Sequence, residues 1–372
     1  MKKVTFILSG DHIDPASRDR GYCVAMELRN YGFSVEVVDS PVLRRSEYTF
    51  LSAFDYVKRF TVNIVKKVPL FFRDQEHIYF VQRDFIAGLP GVLNNILGEF
   101  ITILLLFLSK ILLRRKIIFD FDDAIYLGKP LATYLLTKVA DVVIVGSHKL
   151  KNYAVKLNSA VFLIPTSVNL DRYLEAKLKH KNNSKDEKIT IVWIGSQSTL
   201  RYLELLIKPI LILVRRYPEI NIKIIGARNI AEYRTYAPNV LAALDHERIE
   251  FVNWDSNTYL SELAQSDIGI APLSSGEGEE AKCGKKVIEY MGMGIPAVAS
   301  AVGENNFIVR DGENGFLCRS AKEWIDKISL LVEDKKLREK LGSEGIKTVE
   351  YMYSLKRNVK KLAMIINWVL DM

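Results

Sequence analysis

The stretch AKCGKKVIEYMGMGIPAVAS, residues 281–300, sets Lys282, Lys285 and Lys286 around Gly284, with Glu289 following on the same helical pattern. It reads as a loop, a short helix from Lys285 that stops at glycines, and then a buried strand. Backbone N–H groups at such a loop-to-helix junction, with the helix dipole behind them, suit a phosphate. The lysines add positive charge. Glu289 lies about one turn deeper, where a carboxylate could accept hydrogen bonds from the hydroxyls of an attached ribose. The competing reading makes Glu289 and the lysines an ordinary solvated helix face. Cys283 sits in the same loop, but thiol chemistry needs a base partner, and no feature of the sequence supplies one.

A second set of candidates is carried by IIFDFDDAIY, where Asp120, Asp122 and Asp123 end a strand pattern. Carboxylates at a strand's carboxyl end point toward a ligand crevice. They could hold a divalent cation, contact the hydroxyls of an acceptor or sugar, or cap the next turn. Contact with an acceptor or sugar is the expectation. In the first loop, GDHIDPASRDRGY, Arg18 and Arg20 could meet phosphate and His12 could reach the site. Plain exposure on a loop is the alternative for each. Residues 57–73, VKRFTVNIVKKVPLFFR, carry five basic side chains and no acidic one. Ala53, Val57, Phe60 and Ile64 share one helical face. Such a segment suits an anionic membrane surface, or is an ordinary helix with a basic outer side. No nucleic-acid-binding motif accompanies it, and nucleic acid is not an expected partner.

The elements that must position these groups follow from apolar runs alternating with helical patterns. KVTFILSG, GFSVEVVDS, IYFVQ, KIIFDFDD, DVVIVGS and VFLIPTS come first, then ITIVWIGS, INIKIIG, IEFVNW, IGIAPL and IPAVAS. Strands alternating with helices predict βαβ units and parallel sheets. Between the two series, EAKLKHKNNSKDEK, residues 175–188, reads as a linker or exposed loop. The expectation is an α/β protein of two Rossmann-like domains, 1–168 and 169–352, with a ligand cleft between them. Residues 353–372 form an amphipathic helix through Leu355, Val359, Leu362, Ile366 and Val369, expected to pack back on the first domain.

Composition agrees with a soluble chain: 372 residues, 49% hydrophobic and 26% charged, with room for two cores. A formal net charge of +8 favours an anionic partner. Cys23, Cys283 and Cys318 fit neither a disulfide framework nor a zinc site, which predicts a reducing cytoplasm. FITILLLFLS, residues 100–109, is the longest apolar stretch and falls well short of the ~20 residues that span a bilayer.

GKKVIEYMGMGIPAVASAVGENNFIVRDGENGFL resembles the nucleotide-sugar site of glycosyltransferase family 4, which has the GT-B fold. The family pattern is E-G-F-G-x-x-x-x-E-A-M-A-x-G-x-P-V-V-A, then G…E-I-V-x-D-G-x-N-G-F-L. IPTSVNLDRY is similar to the family's interdomain P-N-G-V-D segment. ITIVWIGSQSTLRYLELL stands where the family has its first C-domain strand and a phosphate-binding basic pair. SDIGIAPL resembles its A-D-V-x-V-x-P-S strand. The chain also departs from the pattern. The first glutamate of E-x7-E falls on Ala281, with Glu279 and Glu280 beside it. The basic pair falls on Ser196 and Arg201, and an N-domain histidine falls near Asp122.

The resemblance implies retaining glycosyl transfer from a nucleoside diphosphate sugar, with no cofactor and no metal. It implies donor binding by Gly195, Ser196, Arg201, Lys282, Cys283, Gly284 and Glu289. Arg201 and Lys282 would stabilise the departing diphosphate, Lys282 replacing the missing second cation, and Asp122 would face the sugar. The expected acceptor is a glycan or polyprenyl-diphosphate-linked precursor of a cell-envelope polysaccharide or lipopolysaccharide, at the inner face of the cytoplasmic membrane. Two alternatives stay open: a nucleotide-sugar 2-epimerase of the same fold, and a catalytically weak partner subunit that binds a nucleotide sugar or glycan.

Overall fold

The structure, a computed structural model, describes residues 2–39, 77–83, 104, 110, 115–181, 188–226, 234–235, 237–244 and 247–372. The basic segment 57–73 lies outside them, as does all of the apolar stretch 100–109 except Leu104. The chain forms two units, Met1–Thr166 with Leu355–Met372, and Ser167–Ser354. The divisions thus fall after residues 166 and 354, where the sequence reading placed them after 168 and 352.

In the first unit the strands are β1 (Lys3–Leu8), β2 (Ser34–Val38), β3 (His77–Gln82), β4 (Lys116–Phe121), β5 (Val142–Val145) and β6 (Val161–Leu163). They form one sheet in the order β2-β1-β3-β4-β5-β6, every pair parallel. Parallel strands are covered on both faces, so they are built from near-continuous apolar runs such as VTFIL and IIF. Phe6 and Phe80 stack across β1 and β3 with ring centroids 4.4 Å apart. The helix Leu355–Asp371 belongs to this unit. Its Leu355, Val359, Leu362, Ile366 and Val369 join the core formed by Val4, Phe6 and Leu28. Lys2 Nζ donates to Asn367 Oδ1 at 2.6 Å and Tyr31 donates to the Lys356 carbonyl at 3.0 Å.

The second unit has β7 (Ile189–Ile194), β8 (Ile220–Ile225), β9 (Ile249–Val252), β10 (Ile268–Ala271), β11 (Ala297–Ser300) and β12 (Gly315–Cys318). Their order is β12-β11-β10-β7-β8-β9, again all parallel. Alternate side chains of β7 feed two cores. Ile191 and Trp193 join Leu203 and Ile210 on one face, and Val192 and Ile194 join Val287, Ile288 and Met291 on the other. β12 was not among the strands read from the sequence. The first part of the expected linker is helical instead: Leu170–Lys181 is one helix. Leu170, Tyr173 and Ala176 lay it on the core, and Lys177 Nζ donates to the Gly294 carbonyl at 3.2 Å.

Among the described residues no helix is long and apolar enough to cross a membrane.

Candidate functional site

The strand order of the second unit reverses between β7 and β10, and an open α/β sheet binds its ligands at such a point, beyond the carboxyl ends of the strands. Pairing there stops early, at Ile191–Ile268 and Val192–Gly269. Tyr290 of the helix Lys285–Met293 fills the gap. Its hydroxyl accepts the Ile194 N–H at 3.0 Å and donates to the Ile270 carbonyl at 3.1 Å. Gly269 makes room for it, because an added Cβ would lie 2.3 Å from the tyrosine ring.

Gly195 follows β7. A Cβ there would lie 2.6 Å from Lys286 Cε, 2.7 Å from Thr199 Oγ1 and 2.7 Å from the Trp193 ring, so any larger residue would have to displace them. Ser196 opens the Gln197–Leu206 helix, with its hydroxyl 3.2 Å from that of Ser198. Lys286 Nζ donates to Thr199 Oγ1 at 3.3 Å and stands 5.2 Å from the centroid of the Trp193 ring. Burial, and then the neighbouring charge of Lys282, pull the Lys286 ammonium down to about 8, against an opposing pull from Glu289.

The helix Lys285–Met293 starts at Gly284, whose φ of +63° is left-handed, and stops at Gly294, whose φ is +68°. A Cβ on Gly284 would also lie 2.2 Å from Ile308 Cδ1. No side chain caps the amino end, and a helix terminus of this kind suits an anion. Glu289 is only 7% exposed, which overturns the solvated-face reading for this residue. Tyr173 donates to its Oε1 at 3.0 Å, and Lys285 Nζ lies 4.0 Å away while donating to the Ser167 carbonyl.

Arg201 is exposed and faces the acidic turn Glu277–Glu280. It donates to Glu279 Oε1 at 3.2 Å and to the Tyr202 hydroxyl at 3.1 Å. Tyr202 donates to the same Glu279 oxygen at 2.7 Å. That hydrogen bond holds Glu279 below the usual carboxylate range, aided by Arg201 and Lys282 against the effect of burial. Glu279 is therefore engaged with the Gln197–Leu206 helix, and Ala281, at the place of the missing glutamate, is buried. Gly303, at φ +52°, presses on the backbone beside it: a Cβ there would lie 2.4 Å from the Glu280 carbonyl oxygen. Cys283 is buried too. Burial pushes the Cys318 thiol up to about 12, which makes it unreactive.

The structure brings Gly195, Ser196 and the first turn of the Lys285–Met293 helix to one corner. The residue that meets Gly195 is Lys286, which the sequence reading treated only as added charge; Lys282 was preferred for the phosphate. Helical periodicity could not say which of the three lysines turns toward β7.

In the first unit, polar groups gather at the carboxyl ends of β1, β3 and β4. Arg20 is buried and grips both carboxylate oxygens of Asp120, and also donates to the Ile164 carbonyl at 2.9 Å. Both are thereby removed from the roles read for them, Arg20 as a phosphate ligand and Asp120 as a crevice-facing carboxylate. Arg83 Nε donates to Asp122 at 2.7 Å. Burial works to raise Asp122, but Arg83 and then Arg20 outweigh it and hold the carboxyl below its usual range. Arg83 has a left-handed backbone, φ +60°, alone among the described non-glycine residues. Such strain persists where surrounding contacts enforce it. Asp123 accepts the N–H of Ala124 at 3.0 Å, but no side chain caps the following helix, Ile125–Gly128. Gln82 is buried and accepts from Ser9 and Ser17, while its Nε2 has no partner among the described residues. Neither Gln82 nor Arg83 carried any signal in the sequence beyond ending a strand.

Residues 175–348 match the model of the family "Glycosyl transferases group 1". Over these residues the chain is similar to that family. The "Putative glycosyltransferase EpsD" of Bacillus subtilis is 28% identical over 202 residues, 53% of this chain and 50% of that protein. The chain thus spans half the length of that relative. In fold, the chain is similar to sucrose-phosphate synthase from Thermosynechococcus elongatus, with a TM-score of 0.73 at 12% identity and 100% of both chains covered. It is also similar to HepE of Anabaena, solved with UDP and glucose, with a TM-score of 0.67 at 14% identity and 99% of both chains covered. At such identities the likeness is one of fold. The α/β class, with two parallel six-stranded sheets, is that of GT-B glycosyltransferases.

Proposed function

We propose that the protein transfers a glycosyl group from a nucleoside diphosphate sugar to a glycan or polyprenyl-diphosphate-linked acceptor, with retention of anomeric configuration. One arrangement in the second unit carries the reading. At the sheet's reversal point the closely packed Gly195 meets the side chain of Lys286, in the first turn of the helix that starts at Gly284 without a side-chain cap, and Glu289 is buried and oriented farther along that helix. The group 1 match covers these residues, and HepE, of similar fold, was solved with UDP and glucose.

On this reading the amides after Gly284 take the diphosphate, and Arg201 and Lys282 surround it with positive charge. Negative charge grows on the leaving diphosphate in the transition state, so donors fixed in advance lower the barrier. Glu289, held by Tyr173, accepts the ribose hydroxyls. Ser196 and Cys283 border the donor through their backbone. In the first unit Asp122, kept ionised by Arg83, is a hydrogen-bond acceptor whose lowered affinity for protons makes it a weak general base. Side-chain cations and amides neutralise the diphosphate, without a metal or cofactor. The acceptor belongs to cell-envelope polysaccharide or lipopolysaccharide synthesis, and the protein works peripherally at the inner membrane face.

One observation favours a second reading. Ala281 is buried where the family pattern has a glutamate, and Glu279 is engaged with Tyr202 and Arg201. That supports a subunit that binds a nucleotide sugar and transfers nothing. Thermal unfolding with a panel of UDP-, GDP- and ADP-sugars, followed by incubation of the stabilising donor with polyprenyl-diphosphate glycans, separates the two. A bound donor at 100 times its Kd adds about 2.7 kcal/mol of stability. Stabilisation with transfer supports the enzyme, and stabilisation without transfer to any acceptor supports the binding subunit.

A further inference from the structure

Lys286 stands at the corner made by Gly195, Thr199 and Trp193, and nothing in the group 1 pattern asks for a cation at its position. Thr199 donates its own proton to the Ser196 carbonyl at 2.8 Å, so its oxygen can accept from Lys286. The indole face of Trp193 lies 5.2 Å from the ammonium, a cation–π distance. An ammonium has three N–H donors. One goes to Thr199, and at least one remains for a ligand. Among the described residues Lys286 forms no ion pair with a carboxylate, although the side chain is partly buried. A cation so placed, against the closely packed Gly195 and in the first turn of a helix without a side-chain cap, is poised for an anion.

We infer that Lys286 is the second cation of the diphosphate site, replacing from the Lys285–Met293 helix the basic residue whose place in the β7 loop has become Ser196. This rests on the nucleoside diphosphate reading above and deepens it. Arg201 approaches from the Gln197–Leu206 helix and Lys286 from the other side of the corner. Lys282 then acts through its charge at longer range, and not as the contact. The inference also has a pH signature. The charges acting on Lys286 are Lys282 and Glu289 from its own segment. β7 and the Gln197–Leu206 helix face it with Trp193 and Thr199, which are uncharged. An ammonium pulled down to about 8 loses its proton between pH 7.5 and 9.5 unless an anion holds it. Diphosphate affinity should fall across that range, by up to about tenfold per pH unit.

The test is calorimetric titration with UDP, GDP and ADP, and with the corresponding monophosphates, at pH 7.5 and 9.5. Wild type, Lys286→Met, Lys286→Arg and Lys282→Met are compared. At pH 7.5 Lys286→Met should weaken the bound diphosphate roughly 10- to 150-fold and the monophosphate far less. Its affinity should not change between the two pH values. Lys286→Arg, a cation at both, should bind at pH 7.5 and lose the fall at 9.5, which also controls for folding. Lys282→Met should cost less than Lys286→Met. Wild-type affinity in Lys286→Met, or an unchanged fall with pH in either Lys286 variant, overturns the inference while the site reading stands. If wild type binds none of the three diphosphates, the site reading falls and takes this inference with it.

Discussion

Gly195 shows how one residue can restrict a site. Its Cβ position is claimed by Lys286, Thr199 and Trp193 at 2.6–2.7 Å. Gly195→Ala should cost about 1–3 kcal/mol of stability by overpacking and should weaken nucleotide binding, read by denaturant unfolding and calorimetry. Lys286 leads to a second expectation, in the opposite direction. The folded state pulls its ammonium from 10.5 to about 8. At a pH below 8 the fold therefore bears the cost of holding a charge that the unfolded chain holds freely. Between 8 and 10.5 the folded protein has released the proton and the unfolded chain has not, so wild type gains stability as pH rises. Lys286→Met should raise Tm at pH 7, and the gain should shrink toward pH 10. A constant difference would contradict this. The helix start at Gly284 and the place of Glu289 on that helix were legible from spacing and residue type alone. Lys286 was not singled out, because three lysines on one short segment are distinguished only by where the sheet lies. The Arg20–Asp120 and Arg83–Asp122 pairs join residues 100 and 39 positions apart, beyond any local pattern.

Between elements, the decisive contact is Tyr290 between β7 and β10. Its hydroxyl serves one backbone donor and one backbone acceptor where the strands no longer pair. Tyr290→Phe keeps the ring against Gly269 but leaves the Ile194 N–H and the Ile270 carbonyl unsatisfied in a buried place. The expected loss is roughly 1–3 kcal/mol per orphaned group, measured by urea unfolding, with weaker nucleotide binding because the Gly195 corner shifts. An unchanged midpoint would show that the strands close on each other without the hydroxyl. Eleven of the twelve strands among the described residues could be read from apolar runs bounded by turn residues. β12, Gly315–Cys318, offers only Phe316 and Leu317 as a large apolar pair, between a glycine and a cysteine, too little to stand out as an apolar run. Leu170–Lys181 was partly read as linker because its apolar contacts, Leu170, Tyr173 and Ala176, are widely spaced among lysines. Its Leu, Ala, Glu, Arg and Lys residues favour a helix, and packing of one side on the core fixes it.

For the whole molecule, two parallel sheets follow from twice-repeated strand–helix alternation. A match to group 1 covers 175–348, most of the second unit. The first unit has the weaker signature, and its acceptor contacts follow from no motif. The net charge of +8 and the basic segment 57–73 give a separate expectation about membranes. Each basic residue near an anionic surface adds about 1 kcal/mol, screened by salt. Co-sedimentation with phosphatidylglycerol vesicles should therefore fall when Lys58, Arg59, Lys66 and Lys67 are replaced by Glu. Unchanged sedimentation would point to a soluble acceptor. The central claim is that the second unit holds a nucleoside diphosphate, with Glu289 on its ribose. Glu289→Gln keeps the shape and removes the charge, so calorimetric titration of wild type and this variant with UDP, GDP and ADP, and with their monophosphates, tests it most directly. Saturable binding of a diphosphate, weakened about 10- to 150-fold by Glu289→Gln for diphosphate and monophosphate alike, is the predicted result. Binding by none of the three, or equal affinities in the correctly folded variant, would contradict it.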